Sequence, residues 1–164
     1  MKRAARGASR FRARRYLLRA AVALLLGLAA SAAAQSLWLE AGIGYLETAP
    51  QSYESAFTLG LRGTLPVSER ASVYIHPFVR GGFGLDVGVW LRFPVGPDDL
   101  EGWRAYLGGG PSLVYGRFGL SGSVAIAYEV AANAELALVY THRALLTGGL
   151  GQAFDIALAY ALSF

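Results

Sequence analysis

Gln152-Ala153-Phe154-Asp155-Ile156-Ala157-Leu158-Ala159-Tyr160-Ala161-Leu162-Ser163-Phe164 is the stretch that decides the fold. Phe154, Ile156, Leu158, Tyr160, Leu162 and Phe164 are large and apolar, while Asp155, Ala157, Ala159, Ala161 and Ser163 between them are small or polar. A period of two is the signature of a β-strand whose two faces meet different surroundings. In water, such a strand at a chain end would expose an apolar face at the place most prone to fray.

Two further stretches repeat the pattern. Phe83, Leu85, Val87, Val89, Leu91 and Phe93 alternate with Gly84, Asp86, Gly88, Trp90 and Arg92. Phe118, Leu120, Gly122, Val124, Ile126 and Tyr128 alternate with Gly119, Ser121, Ser123, Ala125 and Ala127. In all three, an aromatic opens and closes the apolar face ten residues apart. Ten residues of strand span roughly 33 Å. A tilt of about 40° reduces that to about 25 Å, the height of the apolar band on a membrane-spanning barrel. Phe83, Phe93, Phe118 and Tyr128 then read as members of aromatic girdles at the two interfaces.

Less regular alternation elsewhere completes a set of eight strands near 37–46, 53–65, 71–80, 82–93, 103–115, 118–130, 134–143 and 153–164. Tyr115 and Phe118 share a face, so Gly116-Arg117 is expected as a two-residue type II′ turn. Val79 and Phe83 also share a face across Arg80-Gly81-Gly82, which calls for a glycine in the left-handed conformation. Bilayer hydrocarbon gives backbone amides no partner, so a spanning sheet must close on itself. The expected fold class is all-β: a closed eight-stranded antiparallel up-and-down transmembrane β-barrel preceded by a signal peptide.

The N-terminal residues supply that signal. Eight of the 15 basic residues precede position 34, and no acidic residue does. They lead into the apolar run Ala20–Ala30 and then Ser31-Ala32-Ala33-Ala34, the layout of a secretory signal peptide over 1–34. The barrel domain is therefore expected over 35–164. Arg14-Arg15 also fits a twin-arginine signal, but a chain that must fold in a membrane should not be exported folded. Residues 35–164 hold seven arginines, no lysine and eleven acids, about −4 in net charge, so the high overall pI does not indicate nucleic-acid binding. The absence of cysteine excludes disulfides, thiolate metal sites and a lipidated N-terminal cysteine.

The strand pattern and the alternating aromatic-ended last strand resemble the small bacterial outer-membrane β-barrels of the outer-membrane protein A and X class. The resemblance covers everything after residue 34. It implies that Phe154, Ile156, Leu158, Tyr160, Leu162 and Phe164 form the C-terminal signal read by the barrel-assembly machinery. It also implies residence in the bacterial outer membrane as a monomer, with outer-membrane lipid and the export machinery as further partners. With both ends in the periplasm, the outward loops would be 46–52, 80–82, 116–117 and 144–152, while the longest polar connection, 94–102, would be periplasmic. Members of the class usually have long outer loops. The tight ones here argue against adhesin-like binding.

The inward face carries Glu40, Glu54, Arg62, Arg80, Asp86, Arg92, Arg104, Glu129, Glu135 and Asp155. Paired carboxylates can serve acid–base chemistry. An eight-stranded barrel, however, is only wide enough for side chains to fill it. Glu40, Arg62, Asp86, Arg92, Arg104, Glu129, Glu135 and Asp155 are thus expected as lumen ion pairs that plug the interior. His76 and His142 have no serine partner close in sequence, so a lipid hydrolase is disfavoured, and no metal or cofactor is expected. Gly108-Gly109-Gly110-Pro111 is followed by no helix start or Lys-Ser/Thr, so it is not a phosphate loop. The expected role is structural; a narrow pore for ions or small solutes is the alternative, left open by the lumen glycines.

Overall fold

The computed structural model describes residues 35–49, 52–96, 101–148 and 151–164. The expected signal peptide at 1–34 and the Asp98-Asp99 pair lie outside the described residues. Eight strands follow one another: β1 Ser36–Ala49, β2 Ser52–Pro66, β3 Ala71–Val79, β4 Phe83–Pro94, β5 Trp103–Val114, β6 Arg117–Ala131, β7 Ala134–Leu145 and β8 Gly151–Ser163. Each pairs antiparallel with the next, and β8 pairs with β1 from Ser36 opposite Ser163 to Leu46 opposite Ala153, which closes the barrel. Closure leaves the sheet no open edge. Gln35, Phe164, the connections 67–70 and 132–133 and the strand ends Pro94 and Trp103 lie at one end, here termed proximal; the turns 80–82 and 115–116 lie at the opposite, distal end.

Alternation sorts the side chains as expected. Leu39, Phe57, Leu120, Ile126, Leu138 and Leu158 point outward and are at least half exposed. Outward aromatics stand toward the two ends of this band, with Phe57, opposite Ile43, and Tyr140, opposite Val124, between them. Phe93 and Tyr128 stand at the proximal end, where Tyr128 is joined by Trp103 with ring centroids 5.2 Å apart. Phe83 and Phe118 stand at the distal end, where Tyr45 also stacks on Phe154 at 4.9 Å.

The turns hold one confirmation and one correction. Arg80-Gly81-Gly82 separates β3 from β4, with Gly81 at φ +65°, so the two are distinct strands. At the β5–β6 turn, Val114 pairs with Arg117, so the loop residues are Tyr115-Gly116 rather than Gly116-Arg117. Both have positive φ (54° and 81°), which makes the turn type I′ rather than II′. Leu113 faces Phe118 here, where the expected register would have set Tyr115 against it; Leu113 and Tyr115 share a parity, so hydropathy alone did not choose between the two turns. A left-handed tyrosine costs about 1–2 kcal/mol. Its N–H donates to the Phe83 carbonyl at 3.1 Å and its ring covers Gly82, where no side chain would fit.

β1 and β7 also run beyond their expected ends, to Ala49 and Leu145. Pro77 pairs with Leu85 on β4, but the β2–β3 register lapses between Gly60 opposite Phe78 and Gly63 opposite Ile75. Pro111 behaves likewise: it pairs with Leu120, while the β4–β5 register lapses beside it. A proline has no N–H to give, so each keeps one neighbouring strand and loosens the other.

Candidate functional site

Inward-facing positions of β1–β4, β7 and β8, together with Arg80 just past the end of β3, place seven titratable or charged side chains in one continuous contact ladder. Arg62 Nε lies 2.8 Å from Glu40 Oε1, and Glu40 Oε2 lies 3.4 Å from His76 Nε2. His76 Nδ1 lies 3.5 Å from Asp86 Oδ2, which takes a 2.7 Å bond from Arg143 Nη2. Arg143 Nη1 also pairs with Asp155, whose other oxygen accepts from Arg80 Nη1 at 2.9 Å. Ser112 Oγ donates to Asp86 at 2.6 Å, and Arg80 Nη1 reaches the Tyr45 carbonyl at 3.0 Å. All seven are at most 5 % exposed. Among the described residues, the buried acids are three and the buried arginines three, so the ladder balances with His76 neutral.

Rings close the space around the ladder. On the proximal side, Trp38, Tyr74, Trp90 and Tyr106 form an aromatic block, with Trp90 and Tyr106 stacked at 5.5 Å and Trp38 edge-on to both. The Arg62 guanidinium rests 4.3 Å from the Trp90 ring and 4.9 Å from Tyr74, a cation–π arrangement strengthened by desolvation. On the distal side, Phe78, Val114 and Leu145 pack together, and Arg143 lies 4.1 Å over the Phe78 ring. Glycine makes this filling possible at two places. A side chain at Gly60 would strike His76, and one at Gly84 would strike Phe78.

Of the eight expected lumen ion-pair residues, Glu40, Arg62, Asp86 and Asp155 belong to the ladder. Arg104 and Glu129 pair at 2.9 Å, but at the partly exposed proximal rim. Glu135 accepts from the Tyr106 hydroxyl at 2.7 Å. Arg92 is not in the lumen: it is exposed beyond the barrel end and reaches the Glu69 carbonyl at 3.4 Å. Glu54, inward by parity, is likewise exposed where β2 rises past the distal rim. In both cases strand parity is right, but the strand has outrun the barrel wall.

Sequence reasoning missed Arg143 as a lumen residue. Its signal was present: Ala137, Val139 and Thr141 set an inward parity that continues to 143. His76 and His142 are separated by the wall. His76 sits in the ladder, while His142 faces outward and bonds Gln152 at 3.1 Å. No group of three or more His, Cys, Asp or Glu among the described residues has metal-binding geometry.

The barrel overlays on the crystal structure of Neisserial surface protein A with a TM-score of 0.60 and 12% identity, covering 79% of this chain and 96% of that one. This is the fold of the small outer-membrane barrels. A de novo designed transmembrane β-barrel gives 0.49 at 18% identity, covering 79% and 97%. The outer membrane protein OprG from Pseudomonas aeruginosa gives 0.47 at 13%, covering 80% and 97%. No family model and no curated protein matches the sequence.

Proposed function

We propose that this chain is an integral outer-membrane barrel whose lumen is a permanent plug and whose role is structural, in the integrity of the envelope, without catalysis. The plug carries the reading: a ladder of three carboxylates, three guanidiniums and one imidazole, capped by packed rings on both sides. Each ladder charge has an opposite charge in contact, and rings occupy the space a solute would need. The outward band favours lipid as the surrounding phase, since its exposed leucines and isoleucines form a belt bracketed by aromatics.

The same reading places the chain ends in the periplasm, after export through a cleaved signal peptide. It makes outer-membrane lipid and the assembly machinery the partners of a monomeric barrel, with β8 as the segment that machinery reads. Conductance across a planar bilayer containing refolded protein is the test. The plug predicts a flat trace at 100 mV. Discrete steps of current would replace it with the narrow pore. The barrel itself is checked by heat-modifiable migration on detergent gels, with strand-dominated circular dichroism before boiling.

A further inference from the structure

We infer that the distal wall across β2, β1, β8 and β7 carries a binding site for the neutral sugar headgroup of an outer-leaflet glycolipid. The inference rests on the proposed outer-membrane reading, with the chain ends in the periplasm and the distal end in the outer leaflet. Setting tyrosine and tryptophan aside, the polar side chains at outward strand positions among the described residues are Glu47, Ser55, His142 and Gln152. All of them belong to this one corner. Ser55, Tyr45, Phe154 and His142 lie opposite one another in a single row across the four strands. The next row toward the rim holds Tyr53 opposite Glu47 and, on β8, Gln152 opposite Ala144. At the spacings of a sheet, the two rows cover roughly 15 by 7 Å, room for one or two pyranose rings.

The chemistry of the corner favours a sugar. Tyr45 and Phe154 stack at 4.9 Å, and the Tyr53 ring is tilted by 58° with its centroid 6.1 Å from Phe154. Such rings give the C–H face of a pyranose a flat apolar surface. Beside them, Glu47 accepts hydrogen bonds, while Ser55 and Gln152 both donate and accept. His142 Nε2 shares a hydrogen bond with Gln152 Oε1 at 3.1 Å, which holds the carboxamide in place. Sugar hydroxyls also donate and accept, so they match this mixture. A phosphate does not: the strand arginines Arg62, Arg92, Arg104, Arg117 and Arg143 all stand at inward parity, and Glu47 repels an anion. A carboxylate on a lipid-facing wall also marks where the hydrocarbon ends, so headgroups rather than acyl chains lie against it. Other distal aromatics lack this company, since Phe83 faces Val79 and Phe118 faces Leu113.

Nuclear Overhauser contacts provide the test, with the refolded native barrel in phosphatidylglycerol nanodiscs doped with monoglucosyl diacylglycerol. Both leaflets carry the sugar, so the outcome does not depend on orientation in cells, and it can fail while the conductance trace stays flat. Sugar-ring protons should contact the rings of Tyr45 and Tyr53 and not that of Tyr128 at the proximal end. Gln152→Leu should weaken the contact about fivefold, the loss of one neutral hydrogen bond, while Tyr128→Leu leaves it unchanged. Equal contacts at Tyr128 would mean general residence at the interface and overturn the site. Contacts undiminished in Gln152→Leu, or none in the native chain, would do the same. So would choline contacts of matching strength when phosphatidylcholine replaces the glycolipid, with Glu47 and the rings holding an ammonium instead. Should Gln152→Leu fail to fold, the native-chain contacts decide alone.

Discussion

The two arcs of the barrel wall fill the lumen in opposite ways. β1–β5 send in Trp38, Arg62, Tyr74, Phe78, Trp90 and Tyr106, spaced by glycines such as Gly60 and Gly84. β6–β8 send in small residues almost throughout, among them Ser123, Ala125, Ala137, Ala157, Ala159 and Ala161, all buried. Arg143, Asp155 and Leu145 are the larger buried exceptions, and the first two are the residues by which that arc joins the ladder. A cylinder this narrow holds one layer of large side chains, so bulk on one arc requires smallness on the facing one. Packing at interior density then makes both arcs sensitive, to loss on one side and to gain on the other.

Breaking the bridge between the arcs should have the largest effect. Arg143→Met leaves Asp86 and Asp155 short of a shared cation, and about 3–5 kcal/mol of stability should go, read as an earlier urea midpoint for the refolded barrel. Next, Leu158→Lys puts a charge on the outer side of the small-residue arc, near the middle of the band. It should cost about 2–4 kcal/mol in lipid, by the same measurement. Overfilling that arc from inside, with Ala159→Leu, should cost about 1–3 kcal/mol as it presses on the aromatic block.

The smallest effect on the finished barrel is expected from Phe164→Ala. Its ring is 79 % exposed, so the urea midpoint should hardly move. If β8 is read by the assembly machinery as proposed, the amount of variant reaching the outer membrane should still fall several-fold. Immunoblots of membrane fractions would show it. Unchanged assembly would leave Phe164 as one more residue of the proximal girdle.

The same contrast explains how much the sequence revealed. On β6 and β8, alanine and serine alternate with Leu, Ile, Phe and Tyr, so the period of two is plain in hydropathy. On β3 and β5, Tyr74, Phe78 and Tyr106 point inward while apolar residues also point outward, and the two faces blur. The number of strands and the outward belt were therefore legible, because lipid imposes one rule on every outward position. The lumen contacts were legible only in part. Parity says that Arg92 and Glu54 turn inward, but not that the wall ends beneath them. Nor does parity say which acid meets which arginine, since partners such as Asp86 and Arg143 lie on strands across the barrel from each other.

The tight distal turns have a consequence for intact cells. If the chain ends lie in the periplasm as proposed, these turns face outward, and a protease must thread an extended segment through its cleft. At 80–82 and 115–116 it meets hairpins closed by three and two residues. Trypsin in addition requires Lys or Arg, and at this end Arg80 is buried in the ladder while Arg117 Nε is bonded to the Thr147 carbonyl at 3.0 Å. Shaving whole cells with trypsin should leave the barrel uncut, and antibodies raised against denatured chain should find little of it to grip on living cells.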